Sequence, residues 1–444
     1  MEHTSRREFI KKMTATGLGA TLGGLTFSAK SYANIVGSNE RIQVAVMGTN
    51  GRGAGMARSF QSVKDVNMLY VCDVEDRAMA KGLAAIEQAG GKAKAEKDIR
   101  KVLADKDLDA LLITAPDHWH APATIMACQA GKHVYVEKPC SHNPREGELS
   151  IAAARKYKRI VQVGAQRRSW PGLIEGIQAL HDGVIGKVYF ARGWYTKKRK
   201  SIGFGKEVPV PSTIDFDLWQ GPAPRRPYRD NLIHYNWHWF WHWGTGEALN
   251  NGTHEIDVIR WGLGVDYPTH VSSEGARFAF KDDWETPDTQ IIDLRFGDDC
   301  LVTWEGRSCN ARNSEGGDRG VIFYGENGAL ETGHNGYRIF DQDNKLIKEL
   351  DSKEKIDGRD PSSPSANLDM GHIQNFMDAI RTNRLPNGDI EELHKSTTLV
   401  QLGNIAWRTG QRLAIDPSNG HILNSPEAQA LWGRTYEPGW ELKV

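Results

Sequence analysis

Asn250, His254 and Asp257 lie at helical spacing in the run from Gly244 to Trp261, where a glycine-rich entry leads into an apolar-periodic stretch. An imidazole at the first turn of a helix, facing whatever the preceding loop encloses, is well seated for general acid/base work. The same spacing also suits His254 and Asp257 as helix-end partners that satisfy each other, and this segment alone leaves both readings open. A second chemical group is Lys138. It follows the strand His133–Val136 in Glu137-Lys138-Pro139, and a lysine at the carboxyl end of a strand, fixed by proline, points into the crevice where ligands collect.

The stretch that would bring a cofactor to these groups lies earlier. Residues 41–47 alternate polar and apolar as a strand, break into Gly48-Thr49-Asn50-Gly51-Arg52-Gly53, and continue as a helical run from Ala54 to Ser62. Strand, glycine turn and helix together make a cradle in which backbone N–H groups at a helix N-terminus hold a pyrophosphate. The turn departs from the usual Gly-x-Gly-x-x-Gly because Asn50 replaces the middle glycine and Gly51 follows it. A second strand ends in Asp73, 20 residues after Gly53, where a carboxylate accepts from ribose hydroxyls. Asp73 points to NAD, and Arg77 one helical turn later leaves room for the extra phosphate of NADP.

Strands and helices go on alternating. Residues 109–114 read as a buried strand ending at a loop that holds Pro116, Asp117, Trp119 and His120, at the carboxyl edge of the sheet. A helix from Ala121 to Gly131, the strand before Glu137, a helix from Arg145 to Lys158 and a strand from Arg159 to Gly164 follow, reaching Gln166-Arg167-Arg168. The expected first domain, residues 38–165, is a doubly wound parallel sheet of the α/β class.

The remainder, 166–444, is expected to form a second domain. A helix from Trp170 to Ile185 and a strand from Lys187 to Thr196 carrying Tyr195 precede an insertion of little periodicity, from Lys197 to Trp243. The end of the insertion, His234 to Trp243, is too aromatic for disorder and reads as a wall of a substrate pocket that includes Trp237 and Trp243. Its histidines lack a cysteine or close carboxylate to complete a ligand set, so no metal is expected. The chain has 14 Trp; indole faces stack on sugars but also fill large cores, and both uses stay open. Residues 271–350 alternate as strands, 351–366 read as a polar linker, and helices are expected at 368–383 and 391–410.

Composition narrows the class. Lys+Arg and Asp+Glu both count 56 in 444 residues, so no net field points to nucleic acid. Five cysteines without a Cys-x-x-Cys pair argue against a zinc or redox centre and against a disulfide framework. Ser5-Arg6-Arg7-Glu8-Phe9-Ile10-Lys11, followed by a Gly/Ala/Leu/Thr run and Ser31-Tyr32-Ala33, matches a twin-arginine signal over residues 1–33. The expectation is export by the twin-arginine machinery to the periplasm or beyond, as a folded protein already loaded with a tightly bound cofactor.

Taken together, the turn from Gly48 to Gly53, Ala115-Pro116-x-x-x-His120, Gly131-Lys132-His133-Val-x-x-Glu137-Lys138-Pro139 and Gly252-x-His254-x-x-Asp257 resemble the Gfo/Idh/MocA family, the glucose–fructose oxidoreductase and inositol dehydrogenase group, in its exported branch. The resemblance implies a Rossmann-type N-terminal domain and a C-terminal α+β domain with a large, mostly antiparallel open sheet whose exposed face pairs protomers as a dimer or tetramer. It implies that Lys138 orients a reacting hydroxyl near the nicotinamide and that His254 exchanges its proton. Asn250 stands where the family usually has an aspartate. The cofactor residues carried over are Gly48, Asn50, Gly51, Arg52, Gly53, Asp73, Pro116, His120, Glu137, Lys138 and Gln166; those facing the substrate are Trp119, Arg168, Tyr195, Trp237, Trp243 and Asp257. The implied activity is hydride transfer between a carbohydrate or polyol carbon, for example C3 of a glycoside, and the held nicotinamide. Redox-neutral glycoside hydrolysis and sugar binding without turnover are the alternatives.

Overall fold

Strand β1 (Ile42–Met47) buries both of its faces, with Val44 and Val46 in one apolar cluster and Ala45 and Met47 in another. A strand that is apolar on both sides belongs in the middle of a parallel sheet with helices above and below. The computed structural model describes residues 41–315, 317–333, 336–351 and 364–444, and it places β1 there. β1 is flanked by β2 (Val66–Cys72) and β4 (Ala110–Ile113) in a six-stranded sheet of order β3-β2-β1-β4-β5-β6, all pairs parallel. The other strands are β3 (Lys94–Glu96), β5 (His133–Val136) and β6 (Val161–Val163). The reversal of direction at β1 and β4 leaves a crevice beyond their carboxyl ends, the usual place for a ligand in such sheets.

Helices cover both faces. On one, α1 (Arg52–Ser62) and α2 (Asp76–Gln88) supply Met56, Phe60 and Ile86. On the other, α3 (Ile99–Leu103), α4 (Asp117–Gln129) and α5 (Pro144–Lys156) supply Val102, Ile125 and Ala153. Residues 117–120, expected in a loop, form the first turn of α4. Pro116 sits at the N-cap with extended backbone and Asp117 follows in the first turn, a helix-start signal that the sequence reading passed over.

After α6 (Pro171–His181) the chain builds a ten-stranded sheet from β7 (Val188–Thr196), β8 (His270–Ala276), β9 (Thr289–Phe296), β10 (Cys300–Arg307), β11 (Arg319–Gly325), β12 (Gly328–Thr332), β13 (Gly336–Phe340), β14 (Leu346–Asp351), β15 (Leu413–Ile415) and β16 (Ile422–Leu423). Only β7 and β10 pair in parallel; the other ladders are antiparallel. β9 alternates buried and more exposed residues, so Ile292 and Leu294 enter a core beneath the sheet while Ile291 faces out. Into that core pack α6, α8 (Thr253–Leu263) and α10 (Ile390–Thr409), the last through Leu399, Leu402 and Ile405.

The insertion 197–243 has one short helix, α7 (Phe216–Gln220), and a turn at Asn236–Trp239, yet it closes around its own cluster of Phe216, Trp219, Tyr228, Phe240 and Trp243. Helix α9 (Pro364–Thr382) returns to the first sheet, where Phe376 packs on Tyr135 and Phe60. Residues 42–444 pack as one unit. The twin-arginine segment lies outside the described residues, as do residues 352–363 of the expected linker; 364–366 belong to α9. All five cysteines are unpaired, and no described helix is long and apolar enough to cross a membrane.

Candidate functional site

The turn after β1 is forced to be glycine where chain meets chain. Gly48 has φ +87°, and a Cβ on it would stand 2.8 Å from the Ala115 backbone; a Cβ on Gly53 would stand 1.8 Å from the Gly48 carbonyl oxygen. Gly51 is different. A Cβ there would meet nothing within 4 Å, because the residue borders a cleft of about 390 Å³. Gly51 is the N-cap of α1 and provides no side-chain cap, and the first turn holds no acidic residue, so the N–H groups of that turn are open to an anion. Asp73, at the end of β2 in the same cleft, accepts from Thr49 N at 2.6 Å, Thr49 Oγ1 at 3.1 Å and Glu75 N at 3.0 Å. Burial raises its pKa and those bonds oppose the rise. Asp73, the Gly51 turn and Pro116 at the cleft wall thus fit a dinucleotide. Arg77 is exposed and does not line the cleft, whereas Glu75 and Asp98 do, which leaves this end acidic and suited to NAD.

The remaining cofactor candidates brace this cleft. Asn50 accepts from Lys81 Nζ at 2.6 Å. Arg52 donates to Glu137 at 3.0 Å and grips Asp369 of α9 through two bonds of 2.7 and 2.6 Å, and Gln166 donates to Glu137 at 3.3 Å. His120 lines the cleft, but its two ring nitrogens lie 2.6 Å and 2.8 Å from the carbonyls of Pro139 and Ala115, so neither is left for a ligand.

Lys138 reaches the opposite wall. Its Nζ donates to the main-chain carbonyl of Asn250 and, at 3.3 Å, to the Asn250 side-chain oxygen. Asn250 stands in a π-helical turn, Ala248–Gly252, immediately before α8, and such turns reposition side chains at functional sites. Gly252 permits the turn to approach the sheet, since a Cβ would fall 2.7 Å from the Trp304 ring. Asn250 is itself oriented by Glu247, whose carboxylate accepts from Asn250 Nδ2 at 3.0 Å and is paired with Arg199. His254, one turn on, is partly buried and has no hydrogen bond to any described residue. Burial, then the positive charges of Lys138, Arg319 and Arg167, hold its pKa well below the ordinary imidazole value. Burial also lowers Lys138, with Glu137 and Asp117 opposing. Lys138 and Asn250 line the cleft, while His254, a neutral imidazole with no partner, is not among the lining residues and lies where it feels the charge of that fixed ammonium. Imidazole and ammonium together can remove a hydroxyl proton and stabilise the oxygen left behind.

Several expected substrate residues are placed elsewhere. Asp257 does not touch His254; Arg168 grips it with bonds of 2.8 to 3.1 Å and Ser396 donates to it at 2.6 Å, all buried. The pair joins α8 to the segment after β6 and is structural. Trp243 is 3% exposed in the core of the insertion. Tyr195 is buried beneath the Arg319 guanidinium, 4.9 Å from the ring centre. Trp119 lines the cleft only by its buried ring, its N–H donated to the Trp219 carbonyl at 3.0 Å. Trp237 does line the cleft, stacked on His238 with ring centres 3.6 Å apart.

Sequence reasoning missed Arg199, Glu247 and Arg319, whereas Tyr235, within the expected wall from His234 to Trp243, does line the cleft. Glu247 was within reach, three residues before Asn250 on the same helical path. Arg199 meets the site from the connection after β7 and Arg319 from the first position of β11, with no local pattern to mark them.

Comparisons with known proteins agree with this architecture. Residues 42–165 match the model of the Gfo/Idh/MocA oxidoreductase family's NAD-binding Rossmann fold, and residues 190–442 match the family's C-terminal alpha/beta domain. The chain is 28% identical over 220 residues to a glycosyl hydrolase family 109 protein of Saccharopolyspora erythraea, covering 46% of this chain and 48% of that one. It is 26% identical over 216 residues to inositol 2-dehydrogenase of Salmonella typhimurium, covering 48% and 52%. The chain thus spans about half the length of the curated relatives it matches. Among solved structures, the WlbA dehydrogenase from Bordetella pertussis, in complex with NADH and UDP-GlcNAcA, superposes with a TM-score of 0.64 at 19% identity over 85% of this chain and 99% of that one, a likeness of fold. The glycine turn with Asp73, the Lys138 strand end and the His254 helix, each within a matched segment, place the chain in the Gfo/Idh/MocA family of NAD-binding oxidoreductases.

Proposed function

We propose that this chain oxidises a hydroxyl-bearing carbon of a carbohydrate or polyol, for example C3 of a glycoside, with NAD held tightly in the cleft. The observation that carries the reading is His254: a partly buried imidazole without a hydrogen-bond partner among the described residues, beside a lysine pinned to the turn that precedes it. Bound nicotinamide supplies the hydride acceptor. Asp73 and the Gly51 turn hold the ribose and the pyrophosphate. A ring nitrogen of His254 takes the hydroxyl proton, and Lys138 stabilises the negative charge that grows on the oxygen. Trp237, backed by His238, offers a flat apolar face for a sugar ring.

A second reading has support in the glycosyl hydrolase family 109 relatives: oxidation, bond cleavage and re-reduction within one turnover, with no net redox change. The two readings part in one experiment. The purified protein is denatured, the released nicotinamide identified, and absorbance of the reduced form followed while sugars and glycosides are added. A rise that persists supports the dehydrogenase; cleavage of a glycoside with no lasting rise supports the hydrolase.

Export by the twin-arginine route belongs to the same proposal, supported by residues 5–11 and by the need to load NAD before leaving the cytoplasm. So does a homo-oligomer formed through the outer face of the ten-stranded sheet, where Tyr189, Ile291 and Leu301 are 54%, 43% and 44% exposed. Sedimentation at micromolar concentration tests it, and Leu301→Arg should yield monomers.

A further inference from the structure

Three consecutive residues, Gln166, Arg167 and Arg168, leave the first sheet, and two of them are fully engaged: Gln166 with Glu137 and Arg168 with Asp257. Arg167 is not. It makes no hydrogen bond or ion pair with any described residue, and its Nη1 is buried without a partner. The charges that act on it are Arg319, which repels it, and Glu255, Asp318 and Asp257, which attract it. Desolvation, followed by repulsion from Arg319, pushes its pKa down to about 10.

Neither Asp257 nor Glu255 forms a hydrogen bond with Arg167. Asp257 is taken by Arg168 and Ser396. Glu255 lies 3.2 Å from Arg319 Nε, in an ion pair whose atoms lack hydrogen-bond geometry, and both of its oxygens are buried without a bond. Asp318 attracts Arg167 through its charge. Arg319 is held by Asn251 at 3.0 Å and by the Tyr195 ring. Both guanidinium groups act on His254, the unpartnered base. A guanidinium taken out of water without an acceptor is costly, and its planar fork matches a carboxylate in two parallel bonds.

We infer that the sugar received at His254 is an acidic one, a uronate or aldonate, whose carboxylate is bound by Arg167 with Arg319 behind it. This rests on the oxidoreductase reading for the role of His254, but the anion site itself stands on Arg167.

The test is direct binding, by calorimetry on the NAD-loaded protein, of glucuronate, galacturonate and gluconate against glucose and galactose. At least one acid should bind about 10- to 100-fold more tightly than its neutral counterpart, the range a charge-assisted bond supplies, and the preference should fall with added salt. Arg167→Gln should abolish the preference without changing neutral-sugar affinity or bound NAD, and Arg167→Lys should keep part of it. Equal binding of acids and neutral sugars, or an acid preference that survives Arg167→Gln in folded, NAD-retaining protein, overturns the inference. The two readings fail separately. Neutral sugars that reduce NAD while acids neither bind nor react sink the carboxylate site and leave the oxidoreductase. Acids that bind through Arg167 but never produce reduced nicotinamide keep the site and sink the oxidoreductase.

Discussion

Lys138 Nζ donates to the main-chain carbonyl of Asn250, 112 residues away, so the ammonium is fixed by the backbone of the turn that launches the His254 helix and not by a carboxylate. The first sheet and the turn before α8 are thereby joined through Lys138.

This anchoring separates the two residues in a mutational test. Lys138→Met removes the charge that supports the reacting oxygen and should lower kcat by about 10²- to 10³-fold, with bound NAD retained. Asn250→Ala keeps the carbonyl anchor and loses only the side-chain contact of 3.3 Å, so the drop should be about 10-fold or less. Steady-state rates of the two variants check this; equal losses would show that the side chain of Asn250 matters as much as the lysine.

At the other end of the cleft, Asp73 with Glu75 and Asp98 should set cofactor choice. Asp73→Ser is expected to weaken NAD by about 10-fold, the worth of one charge-assisted bond, while affinity for NADP rises or stays level. Fluorescence titration with the two reduced cofactors reads the ratio.

Arg168 and Asp257 should matter for stability and not for chemistry. Asp257→Asn leaves Arg168 buried without its counter-ion, a change that costs on the order of 3–5 kcal/mol. Thermal unfolding should show a large drop in Tm, while kcat measured well below that temperature stays within about 2-fold. A large loss of kcat in folded protein would return Asp257 to the active site.

Buried and half-buried histidines give the fold an acid limit. Burial pushes His372 and His394 down to about 4, His133 and His242 also to about 4, and His238 to about 3. In the unfolded chain these groups protonate near pH 6.5. Between about 6.5 and 4 the unfolded state binds more protons, so stability is present at neutral pH and falls as pH drops through that window. Asp73 and Asp117, whose pKa burial raises, oppose the trend at its lower edge but are fewer. Midpoints of denaturant unfolding at pH 7, 5.5 and 4.5 should fall in that order.

What the sequence made legible was local. The turn from Gly48 to Gly53, the strand ends at Asp73 and Lys138, and the helix at His254 each carry their signal within a few residues, because glycine φ angles, strand alternation and helical period are short-range properties. What it hid was pairing across the fold. Asp257 sits three residues from His254 and reads as its partner, yet a helix of period 3.6 lets Arg168, 89 residues earlier, take it from the other side. Trp237 and Trp243 look alike in one aromatic run, and only packing decides that the first borders the cleft and the second fills the core of the insertion. Arg199 approaches the site on the connection after β7 and Arg319 at the start of β11, in a register that no local pattern records.

The central claim is that His254 accepts the proton of the hydroxyl being oxidised, and single-turnover formation of reduced nicotinamide tests it most directly. NAD-loaded wild type and His254→Ala are mixed with a saturating reactive sugar, and absorbance of the reduced cofactor is followed. The account predicts a burst in the wild type and a rate about 10²- to 10⁴-fold lower in the variant, with NAD and sugar affinity unchanged. A variant that forms reduced nicotinamide at the wild-type rate would contradict it.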